Sequence, residues 1–186
     1  MKRLTLYAAT CAVLLAGCSQ PSYSQVSAGG EEFSAIALPA LPEKLDFAGE
    51  EVPLEYFDVR EALQRELLVT SYMHSGTFRT LLNMKRYFSV IEPILERNGI
   101  PDDFKYLCMA ESALNPETVS PAGAAGLWQF MPKTGREYGL AVGSQVDERY
   151  DIEKSTEAAC AYLRDAYERF GSWTLAAAAY KAGHAG

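Results

Sequence analysis

The sequence predicts a mainly α-helical fold, and two observations lead there. From about Glu55 to Tyr180 apolar residues recur three and four positions apart, and no stretch alternates apolar with polar for long. Between these runs stand helix punctuation marks, with Ser, Asp and Pro ahead of them and Gly or Asn-Pro behind. With 186 residues, 48% of them hydrophobic and 22% charged, the chain can build one domain with a core plus appendages, and no more.

The first element is an address. Lys2 and Arg3 precede an uncharged run over 4–16, shorter than the ~20 residues that span a bilayer. Leu15-Ala16-Gly17-Cys18 follows. Residues 1–17 therefore form a secretory signal peptide. The Cys directly after Leu-Ala-Gly resembles the lipobox of bacterial lipoproteins, which implies cleavage before Cys18, a diacylglycerol on its thiol and an acylated new amine. A plain signal peptide cut near Ala16 is the alternative. Several acyl chains make a stable anchor where one binds only marginally. Ser19 follows the Cys, and the same resemblance implies a periplasmic protein anchored by lipid to the outer membrane.

Residues 18–54 are rich in Ser, Gly, Pro, Ala and Glu, with Pro at 21, 39, 42 and 53, and are expected to be a flexible tether. Residues 55–98 form an N-terminal helical segment. Val59, Leu63, Leu67 and Leu68 share one helix stripe. Ser75 is expected to cap a second helix through about Tyr87. Pro93 splits the next run, so Ser89 caps a short helix ending at Asn98-Gly99. Pro101-Asp102-Asp103 opens a helix to about Leu114, where Asn115-Pro116 stops it. A loop with Gly123 and Gly126 and a short helix over 133–139 come next. Ser155-Thr156 are expected to cap a long helix ended by Gly171, with Ala159, Tyr162, Leu163, Ala166 and Phe170 as its stripe. A last helix runs from Trp173 through Tyr180. Residues 99–186 are expected to be the catalytic domain. They end directly after an apolar helix, so the domain is expected to be truncated there.

Composition removes several function classes. A net charge of −7 and a pI near 4.9 do not suit a nucleic-acid partner. The chain has two His and no Cys-x-x-Cys pair, so neither a zinc site nor a His-centred triad is expected. No phosphate-cradling glycine loop occurs. Cys108 and Cys160 lie in apolar helical runs, where buried free thiols are favoured over a disulfide.

One residue breaks the pattern. Phe104, Leu107, Cys108 and Glu111 are spaced as one helix face, so a carboxyl ends an apolar stripe. Burial disfavours its charged form and raises its pKa, which is what a general acid at neutral pH needs. An ion pair with a distant cation would explain the same residue. Around it stand Glu111-Ser112, then a run from Ser120-Pro121 through Gly126-Leu127-Trp128-Gln129-Phe130-Met131, then Ala178-Ala179-Tyr180-Lys181. In this order they resemble the family 1 lytic transglycosylase domain, of the soluble lytic murein transglycosylase type. The branch most similar is that of membrane-bound lytic murein transglycosylase D.

The resemblance implies a lysozyme-like helical domain of the goose-type kind, with a glycan cleft. It implies Glu111 as the single catalytic acid and base, with Ser112, Ser120, Gln129, Phe130 and Tyr180 binding substrate. The Trp128 position carries Met elsewhere in the family. Lys181 stands where the family has Asn, and is expected to turn to solvent as long cationic side chains do. Taken singly, Trp128, Phe130 and Tyr180 are equally consistent with plain core aromatics, and Gly123 and Gly126 with turn glycines. Asp147, Glu148 and Asp151 are expected to be surface groups and caps. The implied activity is that of a carbon–oxygen lyase cutting between N-acetylmuramic acid and N-acetylglucosamine in peptidoglycan, as a monomer without metal or organic cofactor. A muramidase-type hydrolase and a non-catalytic glycan-binding lipoprotein are the alternatives.

Overall fold

A computed structural model describes residues 39–183. The signal peptide, Cys18 and the first part of the expected tether lie outside these residues. The described chain is helical as the periodicity predicts. Helix α1 is Phe57–Tyr72 and α2 is His74–Arg97. The short α3, Phe104–Ser112, is followed by α4, Pro132–Glu137. A 3₁₀ turn at Glu148–Tyr150 leads into the long α5, Ile152–Phe170, and α6 is Trp173–Gly183. Among the described residues no helix is long and apolar enough to cross a membrane.

The expected tether does not reach residue 54. Strands β1, Asp46–Phe47, and β2, Glu50–Glu51, pair antiparallel around Ala48 and Gly49, both at positive φ, the twist a two-residue hairpin needs. Strands of two residues are too short to show period two. Phe47 is buried and its ring meets Phe104 edge-on at 5.3 Å. The Ala48 amide donates to Asp103 Oδ2 at 2.7 Å. Val52 and Leu54 are buried against Val59, Leu63 and Leu67 of α1. Composition makes 46–54 look loose because Pro and Gly punctuate them, but Phe47, Val52 and Leu54 are buried.

The hairpin also caps a distant helix. Glu50 accepts hydrogen bonds from Ser172 Oγ at 2.7 Å, the Trp173 amide at 2.6 Å and the Thr174 amide at 3.0 Å, satisfying orphan donors at the start of α6. Partial burial raises the Glu50 carboxyl, but the hydrogen bonds from Thr174 and Ser172 outweigh it and leave the group below its ordinary value. Glu50→Ala is expected to cost about 1–2 kcal/mol at neutral pH. A depressed carboxyl stabilises above its unfolded pKa, and the contribution is lost as pH falls through the folded value. The deficit should therefore shrink on acidification. Urea midpoints of the two proteins at neutral and acid pH measure this; coincident midpoints at neutral pH would contradict it.

Two helix boundaries differ from expectation, for local reasons. Pro93 does not split α2, which is continuous from His74 to Arg97. Pro93 and Ser89 are both exposed, so water can take the carbonyl that the missing N–H leaves free, while Ile91, Ile94 and Leu95 are buried on either side of the proline. Helix α2 likewise starts at His74, with Met73 rather than Ser75 at the cap position. Helix α5 starts three residues before Ser155, because the Asp151 carboxylate accepts from the Lys154 amide at 2.9 Å. Ser155 and Thr156 are buried instead. Gly171, at φ 65°, ends α5 as expected.

The main core joins Tyr87, Phe88, Ile91 and Leu95 of α2 to Phe104, Leu107, Trp128, Leu163 and Tyr180. The expected division at residue 98 thus falls inside one core, not between two. Cys108 and Cys160 are free and buried. Burial pushes the Cys160 thiol up to about 12 and raises that of Cys108 well above its ordinary value, so both are packing groups.

Candidate active site

Helix α3 delivers Glu111 as the stripe predicts. Phe104, Leu107 and Cys108 are fully buried, and the Glu111 side chain is only 5% exposed. Burial raises its carboxyl above the ordinary value; Lys181, the one charge among the described residues that acts on it, pulls it part of the way back. Lys181 Nζ lies 3.3 Å from Glu111 Oε1 and 3.2 Å from Oε2. The expectation that Lys181 turns to solvent is thus incorrect. On α6 Lys181 directly follows the buried Tyr180, and this register aims its stem at the end of α3.

The turn after Glu111 is unusual. Ala113 and Leu114 both have left-handed backbone, at φ 52° and 55°, a conformation that costs non-glycine residues about 1 kcal/mol or more each. The Ala113 amide donates to Met109 O at 2.8 Å, and Asn83 of α2 donates to Ala113 O at 3.4 Å. Leu114 is fully buried, so core packing holds the turn closed. Strain of this kind collects at functional sites, and nothing in Ala-Leu announces it.

The loop over 118–131 is the second wall, and its residues 124–130 are buried. Trp128 is fully buried; its indole N–H donates to Thr156 Oγ1 at 2.9 Å. Tyr180, also fully buried, donates its hydroxyl to Trp128 O at 2.7 Å. Its ring sits edge-on to Trp128, Phe130 and Tyr162. One aromatic thus ties the loop to α5 through its side chain and to α6 through its carbonyl. The Tyr180 hydroxyl is raised well above its ordinary pKa, by burial first and by Glu111 second. It therefore remains a neutral group beside the acid.

The expected substrate contacts divide. Phe130 and Tyr180 are wholly inside the core and reach no surface, so as direct glycan contacts both are incorrect; they support the wall from behind. Gln129 is 5% exposed at φ 51°, and its amide nitrogen donates to Thr118 O and Gly126 O at 3.0 and 2.8 Å. Its amide group thus holds the loop from within. Ser112 is buried and donates to Cys108 O at 3.4 Å. Ser120 is half-buried and accepts from the Ala124 amide at 3.0 Å, closing a turn. The structure therefore gathers Glu111, Lys181, Ser112 and Tyr180 at the α3–α6 junction and uses Gln129 and Phe130 as the frame beside it.

Sequence reasoning missed Arg149. This buried arginine pairs with Asp147 at 2.7 Å and donates from Nη1 to Gly123 O at 2.8 Å and Phe130 O at 3.0 Å. It clamps the loop from the far side. An arginine amid exposed residues gives no sequence signal for this. Asp147 and Asp151 are caps, as expected, and Glu148 pairs with Lys154. Among the described residues no cluster could hold a metal ion. A groove of about 460 Å³ lined by Tyr138, Tyr162, Phe170, Ala178 and Ala182 runs between α5 and α6. It lies on a different face of α6 from Lys181 and excludes Glu111.

Comparison with known proteins adds to this geometry. Residues 89–186 match the family model of the Transglycosylase SLT domain. Over 141 residues the chain is 36% identical to the membrane-bound lytic murein transglycosylase D of Escherichia coli K12, covering 74% of this chain and 30% of that protein. Over 78 residues it is 36% identical to the soluble lytic murein transglycosylase of the same strain, covering 39% of this chain and 12% of that protein. The transglycosylase of Enterobacteria phage PRD1 is 37% identical over 73 residues, with 39% and 25% covered. The chain thus spans 30% of the length of the first of these relatives.

Proposed function

Since the chain belongs to the Transglycosylase SLT domain family, we propose that it is a peptidoglycan lytic transglycosylase with Glu111 as its single acid and base. The observation that carries the proposal is the Glu111 carboxyl, side chain 5% exposed, at the end of an apolar helix face. Burial is the largest influence on it and, among the described residues, no second carboxylate acts on it. Retaining and inverting glycosidases work with two carboxyl groups. A lone one must both give and take the proton, and a transglycosylase needs only that.

In this reading protonated Glu111 donates to the glycosidic oxygen as the bond to muramic C1 breaks. The substrate's own 2-acetamido oxygen stabilises the positive C1. Glu111, now a carboxylate, removes the proton from the muramic C6 hydroxyl, whose oxygen bonds to C1. Glu111 ends protonated, no water is consumed, and the product carries a 1,6-anhydro ring. The buried surroundings, with Cys108 and Tyr180 beside it, raise the Glu111 carboxyl above its ordinary value, and the left-handed turn at Ala113 and Leu114 fixes where its helix stops.

The test is incubation of the purified chain with cell-wall sacculi, followed by mass analysis of the released muropeptides. Anhydro ends are expected. Reducing ends would assign the attack to water and make the chain a muramidase-type hydrolase, and binding without release would make it a glycan-binding protein. For its place in the cell we propose a membrane-associated periplasmic protein anchored through lipid on Cys18. The motif around Cys18 supports this, as does the similarity to a protein named membrane-bound. Cys18→Ala is expected to leave an unprocessed or soluble protein. A wild-type mass with an unmodified Cys18 thiol would refute the anchor.

A further inference from the structure

The ion pair at the α3–α6 junction has one partner of each kind. Glu111 is closed off, with 5% of its side chain exposed, while Lys181 is 45% exposed. Glu111 is the one ion-pair partner of Lys181 among the described residues. Nζ reaches both carboxyl oxygens at 3.2–3.3 Å, so each oxygen already holds a donor on the lysine side.

A general acid must bring its oxygen within about 2.6–3.2 Å of the atom it protonates. That atom and Nζ compete for the same edge of the carboxyl. While Nζ donates there, the ionised form of Glu111 is favoured, and an ionised carboxyl has no proton to give. Lys181 can also leave without difficulty. Its four-carbon stem is flexible and its ammonium is strongly hydrated.

We propose that Lys181 is a displaceable counter-ion of Glu111, neutralising it in the empty site and withdrawing when a glycan strand enters, so that Glu111 takes up its proton only with substrate bound. This makes Lys181 a positioning residue that couples protonation to occupancy. The proposal rests on Glu111 being the acid and base of the reaction above. The other titratable groups that bear on Glu111 are Cys108, on its own helix, and Tyr180, on α6. Both are buried and held neutral, so neither can substitute for the lysine. The family's Asn at this position carries no charge and could not act in this way.

The kinetics separate the two states. On soluble glycan strands, kcat/KM reports ionisations of the free enzyme and kcat those of the complex. In wild type the alkaline limb of kcat is expected about one pH unit above that of kcat/KM, since a single opposite charge at this distance shifts a carboxyl by at least that much. In Lys181→Met and in Lys181→Asn the kcat/KM limb should rise by about one unit to meet the kcat limb, which should not move. Equal displacement of both limbs would show that Lys181 stays beside Glu111 through turnover, and no displacement would show that the two are uncoupled; either overturns the proposal. Absence of anhydro product from wild type is a different failure, that of the assigned activity. Strand binding followed by calorimetry in two buffers still decides the coupling then. Proton uptake on binding is expected in wild type and should largely vanish in Lys181→Met; equal uptake by both proteins overturns the proposal.

Discussion

Glu111→Gln is expected to lower the release of anhydro-muropeptides from sacculi by at least 10²-fold while leaving the fold intact. Loss of one positioned acid or base costs about 10²–10⁴ in rate, and here the same group acts in both halves of the reaction. The amide matches the carboxyl in shape but can neither donate a proton to the glycosidic oxygen nor accept one from the C6 hydroxyl. Stability provides the control. Glu111 is raised by burial and only partly restored by Lys181. A carboxyl whose folded pKa lies above its unfolded value destabilises the fold once the pH exceeds the unfolded value. The Gln variant removes this penalty, and the half-exposed Lys181 returns to water. Its thermal midpoint near neutral pH should equal or exceed that of wild type. Turnover within tenfold of wild type would remove Glu111 from its role, whatever the midpoint.

What the sequence made legible follows from how each feature is encoded. Helices α1, α3, α5 and α6 announce themselves because burial on one side repeats at the helix period, and the carboxyl ending the α3 stripe stands out against that repeat. The hairpin at 46–51 is invisible for the opposite reason: strands of two residues have no period to detect. A hydroxyl near a helix start usually caps it, which is what the sequence alone suggests for Thr156. Its real partner, the Trp128 indole, lies 28 residues away and is set by how the loop docks on α5. Lys181 illustrates the same limit. A lone lysine goes to solvent unless a buried anion lies within reach, and that proximity is made only when α6 packs beside α3. Phe130, Gln129 and Tyr180 could be placed near the site through their motif order, but whether they face the substrate or the core is a matter of side-chain direction. The loop turns Gln129 and Phe130 inward, and α6 does the same with Tyr180.

That loop depends on one glycine, and Gly126→Ala is expected to be the most damaging single methyl in the described chain. Gly126 has φ 82°, and a Cβ there would stand 1.9 Å from Arg149 O and 2.8 Å from Arg149 C. Both atoms are backbone, so no side chain can swing aside. Arg149 itself is fixed by Asp147, Gly123 O and Phe130 O, so retreat of its backbone would loosen the clamp on the whole loop. The left-handed φ alone costs about 1 kcal/mol; forced overpacking adds roughly 1–3 kcal/mol. The Gly126 carbonyl also accepts from Gln129, and Trp128, two residues on, carries the contacts to Thr156 and Tyr180. Displacement of the loop should therefore reach the helix that carries Lys181. Gly123→Ala is the matched control. Gly123 has φ 89° but nothing within 4 Å of its added Cβ, so it pays the conformational cost alone, about 1 kcal/mol. Urea unfolding of the two variants should separate them by about 1–3 kcal/mol, with sacculus cleavage falling in the Gly126 variant and nearly retained in the Gly123 variant. Equal destabilisation by the two alanines would show that the contact with Arg149 relaxes without cost and that backbone conformation alone explains the glycine at 126.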